Sequence, residues 1–433
     1  MKINSKLPNE WQFVKIRYIA DTQIGVAGAA TGHYVYDKQE GVPLVRNGNI
    51  KFNEIIEDKM VYVSKEFAMS QTSKIIDAGD IVTAHTGAIG AAAIVPKELD
   101  KCLGFSILRI KPRKHIVNSE YLCWYINSDM FKRQYTGYDT GDGRRNLNVY
   151  DLDNSYVCLP PMDEQLRIAN FLNDYTKKID KACSLTSEEL ALLYSKKKLL
   201  IRETLIHGVT PYSETKESSI DGIGEIPISF NEIQLRYLVT RSITDGTHQT
   251  PEYTDKKNGT PFLSSKDINS NNEIDWRQAK HITNRIHKVL NAELSPQRDD
   301  ILLTKNGTIG KAALVNTDKV FDLYLTLALI RPDKNKIIPK YLLYALTSSI
   351  SKEQFDKTVI GISIKSLLLK DLSETKIIVP PMDEQLRIVQ YLDNQCTIMD
   401  KLIQKKEKLL KYLKTQKESV LYECMSGQYR IPE

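Results

Sequence analysis

Short apolar runs, bounded by glycine, asparagine and aspartate, recur through both halves of the chain. They are rich in β-branched and aromatic residues, a composition typical of short strands joined by turns. The clearest runs are residues 75–82, 91–95, 107–110, 300–304 and 323–330. Longer apolar stretches at residues 119–126 and 339–346 predict short helices in the same regions. This mixture of strands and short helices predicts an α+β domain in each half.

Each half then ends in a long amphipathic stretch, residues 163–208 and 383–427. Leucine, isoleucine and methionine return there at steps of three, four or seven residues, while lysine and glutamate fill the remaining positions. The pattern predicts two helices of about 60–68 Å whose apolar stripes pack together as a coiled coil. We expect the contact between the helices to be formed by Leu172, Ile179, Leu192, Leu199, Leu392, Met399, Leu409 and Leu413.

The nine residues PPMDEQLRI occur at 160–168 and again at 380–388, just before each predicted helix. Similar offsets align Arg17 with Arg236 and Asp80 with Asp300, so the chain contains a duplicated domain with its connecting helix. Because the second helix returns along the first, we expect antiparallel helices that separate two similar domains with approximate two-fold symmetry. The predicted boundaries are a first domain at 1–161, a central helix at 162–210, a second domain at 211–381 and a C-terminal helix at 382–433.

Charge and cysteine usage narrow the class of protein. Lysine and arginine total 60 against 54 acidic residues, which gives a net charge of +6. This small excess is spread evenly along the chain, so it permits nucleic-acid binding without requiring it. No apolar run approaches the ~20 residues that cross a bilayer, and the first residues lack the apolar core of a secretory signal. The six cysteines show no C-x-x-C spacing. These features predict a cytoplasmic protein with reduced thiols and no membrane partner.

The sequence lacks the motifs expected of a self-sufficient enzyme. It contains no phosphate-binding glycine loop, no G-x-S-x-G and no H-E-x-x-H. It also lacks the Asn/Asp-Pro-Pro-aromatic tetrapeptide of an amino-methyltransferase, because the Pro-Pro pairs follow Leu159 and Val379. The seven histidines are scattered, so we expect no metal site and no cofactor. The chain is therefore predicted to bind a partner without catalysis of its own.

Polar and basic residues on glycine-containing loops are the candidates for contacts with DNA. Arginine suits guanine edges or phosphates, and asparagine suits adenine edges. The alternative is that these loops are ordinary solvated turns, although their recurrence at matching places in both halves favours function. The candidate DNA-binding residues are Arg46, Asn47, His85, Thr86, Arg144, Arg145 and Asn146 in the first half, and His248, Lys266, Lys305, Asn306 and Lys365 in the second.

The repeated Pro-Pro and Glu-Gln residues at 160–165 and 380–385, with the long leucine-rich helices, resemble the specificity subunit of type I restriction–modification systems. The resemblance covers essentially the whole chain. It implies that each domain is a target recognition domain reading one half of a bipartite site in double-stranded DNA. It implies that the helices act as a spacer and as a docking surface for two modification subunits, which carry S-adenosylmethionine and methylate adenine. Restriction subunits, which cleave DNA using ATP, are the other implied partners.

Two other classes of function stay open at this point. The second hypothesis is a non-catalytic scaffold or decoy that binds the modification subunits but does not read DNA. Loss of the candidate contact loops would favour that alternative, and both halves keep theirs. A stand-alone methyltransferase or nuclease is disfavoured because the catalytic motifs are missing.

Overall fold

The computed structural model describes residues 7–86, 89–134, 146–359, 361 and 365–432. Its internal contacts divide the chain into two compact units. The first unit consists of Met1–Ser187 with Glu407–Glu433, and the second consists of Glu188–Lys406. Both long helices contribute residues to both units, so the division falls within helices and not within a linker.

The first unit is built from short strands and short helices that precede a long helix. Its strands are β1 (Gln12–Lys15), β2 (Ala20–Ile24), β3 (Tyr34–Val35), β4 (Gly41–Arg46), β5 (Ile50–Lys51), β6 (Glu54–Ile55), β7 (Val61–Ser64), β8 (Ile81–Ala84), β9 (Ala92–Ile94), β10 (Leu103–Phe105), β11 (Ile107–Pro112) and β12 (Tyr156–Leu159). Its helices are α1 (Ile16–Ile19), α2 (Lys65–Ser70), α3 (Ser119–Asn127), α4 (Asp129–Lys132), α5 (Val149–Asn154) and the start of α6 (Met162–His207).

Two four-stranded sheets dominate the first unit. One has the strand order β2-β11-β8-β9 and is antiparallel throughout. The other has the order β10-β4-β7-β3, in which β10 and β4 run parallel. A separate antiparallel pair, β1 with β12, joins the beginning of the unit to the strand that leads into α6.

The second unit repeats this plan. Its strands are β13 (Thr215–Glu217), β14 (Glu225–Pro227), β15 (Asn231–Gln234), β16 (Thr244–Asp245), β17 (Tyr253–Thr254), β18 (Gly259–Leu263), β19 (Lys280–Thr283), β20 (Ile301–Thr304), β21 (Ala312–Leu314), β22 (Asp322–Leu323), β23 (Leu327–Ile330) and β24 (Lys376–Val379). Its helices are α7 (Asn284–Glu293), α8 (Pro339–Thr347), α9 (Ser349–Thr358), α10 (Leu369–Glu374) and most of α11 (Met382–Ser426), together with the end of α6.

The sheets of the second unit match those of the first strand for strand. The order β16-β23-β20-β21 corresponds to β2-β11-β8-β9, and β22-β18-β19-β17 corresponds to β10-β4-β7-β3. The parallel pair is also retained, now between β18 and β22. The predicted α+β class and the duplication of a mixed domain are therefore confirmed.

Each unit has a core in which a short helix covers the antiparallel sheet and the ends of the long helices. In the first unit Tyr121 of α3 is fully buried with Leu108 of the sheet and with Leu421 of α11. In the second unit Tyr341 of α8 is fully buried with Ile330 and Leu205. Burial of apolar side chains of this size contributes ~1.5–3 kcal/mol each, so this packing fixes the ends of the long helices to their units.

The repeated Glu-Gln motif has a clear structural role at the start of each long helix. The Gln165 side chain accepts the backbone N–H of Asn118 at 2.8 Å and donates to the carbonyls of Ile116 and Pro160. Gln385 makes the matching bonds to Ile338, Lys336 and Pro380, with the N–H of Ile338 at 2.9 Å. Both glutamines are buried, so each one satisfies backbone groups that would otherwise lack partners.

The long helices pack on each other within each unit through positions spaced alternately by three and four residues. In the first unit the shielded positions are 172, 176, 179, 183 and 186 of α6, and 410, 413, 417, 420 and 424 of α11. In the second unit they are 190, 193, 197, 200 and 204 of α6, and 392, 396, 399, 403 and 406 of α11. This alternation is the a/d pattern of a coiled coil.

Ion pairs show that the helices run antiparallel in each unit. In the first unit Lys417 pairs with Asp180 at 2.7 Å, and Arg430, just beyond α11, pairs with Glu164 at 2.7 Å. In the second unit Lys406 pairs with Glu189 at 2.5 Å and Lys197 pairs with Asp400 at 2.6 Å. In each unit the residue numbers of the partners in α6 rise as those of the partners in or just beyond α11 fall, as expected for antiparallel helices.

Three residues predicted for the contact between the helices lie outside it. Leu192 and Leu199 are 70% and 57% exposed, and Leu409 is 41% exposed. The shielded positions are the adjacent residues 193, 200 and 410. The prediction was wrong here because Thr186 and Lys197, which are polar, occupy shielded positions of α6. The most regular leucine repeat therefore lies one residue away from the shielded face. Leu172, Leu392 and Met399 are buried, and Ile179 and Leu413 are half-buried.

Candidate nucleic-acid interface

Three loops of the first unit, distant in sequence, are joined by hydrogen bonds. The Asn47 side chain donates to the Thr86 hydroxyl at 2.7 Å and accepts the backbone N–H of His85 at 3.2 Å. Thr86 forms an isolated antiparallel bridge with Asn146. The backbone N–H of Leu147 donates to the carbonyl of His85 at 2.8 Å, and the His85 ring contacts the carbonyl of Leu147. We call Asn47, His85, Thr86 and Asn146 the first loop cluster.

The arginines predicted beside this cluster have different positions. The Arg46 guanidinium donates to the carbonyl of Lys59 at 2.7 Å, while its backbone N–H donates to the buried Asn49 side chain. Arg46 is therefore tied to its own turn, and Asn49 fixes the shape of that turn. Arg144 and Arg145 lie outside the described residues.

Loops of the second unit converge in the same way. The backbone N–H of Leu367 donates to the carbonyl of Lys305 at 2.8 Å, as Leu147 does to His85 in the first unit. The backbone N–H of Ser265 donates to the Thr326 hydroxyl at 2.9 Å, and that of Lys305 donates to the Thr326 carbonyl at 3.0 Å. Asn306 forms a bridge with Ser366. Thr326 therefore joins loops that the sequence does not reveal as neighbours.

Asp245 brings the remaining candidate loop to this place. Its carboxylate pairs with the Lys305 ammonium at 2.9 Å and with His248 Nε2 at 3.3 Å. Lys305 is only 8% exposed, so its charge is held by Asp245 and is not presented to solvent. We call Asp245, His248, Lys305 and Asn306, with the exposed Lys266 and Lys365 on the joined loops, the second loop cluster.

Glycine allows the loop that carries Asp245 to approach strand β22. A Cβ atom at Gly246 would lie 2.0 Å from the carbonyl oxygen of Leu323, so no other residue fits there without a shift. Gly25 has the same relationship to the carbonyl of Gly104 in the first unit, at 2.1 Å. Asp245 is not among the candidate residues that the sequence suggests, because its ion pair with Lys305 spans 60 residues.

The two clusters share a backbone framework but differ in side chains. His85 in the first cluster stands where Lys305 stands in the second, and each carbonyl accepts the same kind of loop hydrogen bond. Ile24, which corresponds to Asp245, offers no charge. Lys266, Lys365 and His248 expose hydrogen-bond donors in the second unit, while Asn146 is exposed in the first. The geometry therefore presents two different sets of polar groups on one repeated support.

The described residues contain no group of three or more histidine, cysteine or acidic side chains that could hold a metal ion. Within the described part of the chain, no helix is long and apolar enough to span a membrane.

A second candidate surface consists of exposed apolar side chains on the long helices. In the second unit Leu192, Leu199, Ile398 and Leu402 are 70%, 57%, 48% and 44% exposed. Scattered exposed apolar residues are ordinary on a protein surface, but a repeated series on a helical face is typical of a protein-binding surface.

Comparison with known proteins identifies the family. The model of the type I restriction modification DNA specificity domain matches the chain twice, at residues 8–185 and 246–418. The type I restriction enzyme MjaVIII specificity subunit of Methanocaldococcus jannaschii is 23% identical over 441 residues, which cover 98% of this chain and 94% of that protein.

Solved structures show the same fold. A chain from a study of complex assembly and conformational transition of the type I R-M system has a TM-score of 0.72 at 19% identity, covering 98% of this chain and 100% of that chain. The HsdS subunit from Thermoanaerobacter tengcongensis has a TM-score of 0.53 at 18% identity, covering 99% of this chain and 100% of that chain. The chain therefore belongs to the family of type I restriction–modification DNA specificity domains, which are non-catalytic components of those systems.

Proposed function

We propose that this chain reads a bipartite DNA site, with the first loop cluster reading one half-site and the second loop cluster reading the other. The observation that carries the proposal is the repeated framework with different side chains. In both units the same backbone contacts gather loops from distant parts of the sequence, while the polar groups on those loops differ. Two readers of unlike sequences need such an arrangement, because base contacts specify the sequence and the backbone support does not.

The side chains of the clusters suit this role. The exposed Asn146 matches the donor and acceptor pattern of adenine, while Lys266 and Lys365 suit guanine edges or phosphates. Asn47 acts in this proposal through its bonds to His85 and Thr86, by holding the loops of the first cluster together. His248, held by Asp245, adds a third exposed donor to the second cluster. Lys305 acts in this proposal through its ion pair, by fixing the loop that carries His248. Arg144 and Arg145 remain proposed contacts of the first unit on sequence grounds alone.

We also propose domain roles and partners. Residues 1–161 and 211–381 are the two target recognition domains, and the helices of 162–210 and 382–433 are the spacer that sets the gap between half-sites. The exposed side chains of Leu192, Leu199, Ile398 and Leu402 support a docking surface for two modification subunits, with restriction subunits joining the assembly. In this proposal the complex acts in the cytoplasm, where the modification subunits methylate adenine.

Selection from a random duplex library tests the proposal. The full chain, assembled with modification subunits, is incubated with the library, and the retained duplexes are sequenced. Two fixed motifs separated by a constant gap of any sequence support the proposal. Assembly with the modification subunits but no enriched motif would instead identify a scaffold that does not read DNA, and would refute it.

A further inference from the structure

A groove of about 530 Å³ lies in the second unit between the segment before β16 and helix α10. Three basic residues line it: Arg236, Arg241 and Lys370. The other polar lining residues are the hydroxyl-bearing Thr240, Ser242 and Ser373, and no carboxylate lines the groove. This combination of cations and neutral donors is suited to an anionic ligand.

None of the three cations in the groove is paired with a carboxylate of the described residues. Within the described residues, no hydrogen bond or ion pair joins the side chains of Arg241 or Lys370 to another group, and the Arg236 guanidinium has only the Tyr237 ring, 5.0 Å away. Most other exposed arginines of this unit are paired, as Arg277 is with Asp275 and Arg298 is with Asp318. The unpaired charges at the groove therefore mark it as a place where an external anion is favoured.

The groove adjoins the second loop cluster along the chain. Arg241 lies four residues before Asp245, and Lys370 lies five residues after Lys365. Four residues span at most about 14 Å and five at most about 18 Å, which is within the footprint of a few nucleotides. A ligand that contacts the exposed side chains of the second loop cluster can therefore reach the groove as well.

The first unit repeats one of the three cations, with Arg17 at the position of Arg236, but not the other two. Helix α5 corresponds to α10 at an offset of 220, which places Tyr150 against Lys370 and Asp153 against Ser373. Asp153 accepts a hydrogen bond from the Thr22 hydroxyl at 2.5 Å, and Asp21 pairs with Arg113 at 2.8 Å. Two carboxylates thus stand in the first unit where the lining of the second unit's groove has none.

We propose that the groove lined by Arg236, Arg241 and Lys370 binds the phosphodiester backbone of duplex DNA beside the half-site read by the second loop cluster. This inference rests on the proposed function. The contact is independent of base sequence, because cations recognise phosphates through charge. It also makes DNA binding asymmetric, since only the second unit holds the backbone at this place.

The salt dependence of DNA binding tests the inference. A labelled duplex of random sequence is titrated with the full chain, assembled with modification subunits, over a range of salt concentrations. The variant R241A/K370A should reduce the slope of log affinity against log salt by about two, because each lost phosphate contact removes roughly one counterion from the balance. The control R277A/R298A removes the same net charge from ion-paired surface sites. It should change the slope by less than about 0.5, which is half of the change expected for one phosphate contact.

The outcomes separate the two proposals. If the wild-type complex binds DNA and R241A/K370A keeps its slope, or loses no more than R277A/R298A does, the groove does not hold the backbone while the proposed function stands. If the wild-type complex fails to bind duplex DNA, both proposals fail. R241A/K370A is expected to keep the wild-type thermal unfolding midpoint, because neither Arg241 nor Lys370 has a partner to lose among the described residues.

Discussion

The carboxylate of Glu384, at the start of α11, accepts the backbone N–H of Val209, just beyond the end of α6, with 2.8 Å between Oε1 and N. The same carboxylate accepts both the backbone N–H and the hydroxyl of Thr210. Gly208 makes this approach possible: its φ is +75°, and a Cβ there would lie 2.7 Å from Glu384 Oε1. One long helix therefore begins by satisfying the backbone groups that follow the end of the other.

This contact should depend on the ionised form of Glu384. Burial acts to raise the pKa of its carboxyl, but hydrogen bonds from the Thr210 hydroxyl, the Val209 N–H and the Arg387 guanidinium outweigh burial and lower the pKa from 4.5 to about 2. A lowered folded-state pKa favours the folded protein above pH 4.5, and this contribution disappears as the pH falls towards 2.

We expect E384Q to lower the free energy of unfolding at neutral pH by ~2–3 kcal/mol, and to flatten its pH dependence between about 4.5 and 2. Chemical denaturation of the full chain across that pH range measures both effects. The neighbouring variant D383N alters an exposed carboxylate and should change stability by less than ~1 kcal/mol. Equal losses for the two variants would contradict a specific role for Glu384.

Two aspartates at equivalent positions should respond differently to neutralisation. Asp300 is buried and forms a bidentate pair with Arg331, with both N–O distances at 2.8 Å. Asp80 is also buried, but its nearest cation atom is Arg109 Nε at 3.9 Å, and burial raises the pKa of its carboxyl.

We therefore predict that D300N costs ~3 kcal/mol of stability, because it leaves the partly buried Arg331 without its counter-charge. D80N should cost less than ~1 kcal/mol, because the amide oxygen can still accept the backbone N–H of Asp77. Denaturant midpoints of the two variants measure the difference. Similar midpoints would show that the Arg331 pair contributes no more than the looser contact in the first unit.

The exposed leucines of α6 should matter for partners and not for folding. We expect L192S/L199S to keep the unfolding midpoint of the wild type, since both side chains are more than half exposed, and to weaken binding of the modification subunits at least tenfold. L205A, which removes a buried side chain of the same helix, should cost ~2–5 kcal/mol of stability.

Calorimetric titration with modification subunits, alongside thermal unfolding, separates these effects. A folded L192S/L199S variant with wild-type affinity would place the docking surface elsewhere.

The repeat and its helices are readable from sequence because they rest on local signals. The Pro-Pro pairs end the preceding strands, and the observed helices begin within one residue of the predicted positions. Asp163 and Asp383 lie in the first turns of these helices, where each pairs with the arginine four residues on.

What the sequence does not reveal depends on long-range contacts. The shielded face of α6 contains Thr176, Thr186 and Lys197, which hydropathy counts as polar, so the leucine repeat indicates the wrong face by one residue. In the sequence Lys305 looks like an unpaired basic residue, because Asp245, its ion-pair partner, is 60 residues away. Candidate loops can be predicted from glycine and polar composition, but their convergence through Thr326 and Asn47 follows only from the tertiary structure.

Mapping methylated adenines across a host genome shows whether each unit reads its own half-site. Cells expressing this chain with its modification subunits are compared with cells expressing N146A, from the first loop cluster, or K365A, from the second. We predict a bipartite motif for the wild type. N146A should lower the discrimination between bases by ~1–3 kcal/mol in one half-site alone, and K365A should do the same in the other half-site. Identical motifs for all three, or loss of specificity in both half-sites from either substitution, would contradict the assignment of one reader to each unit.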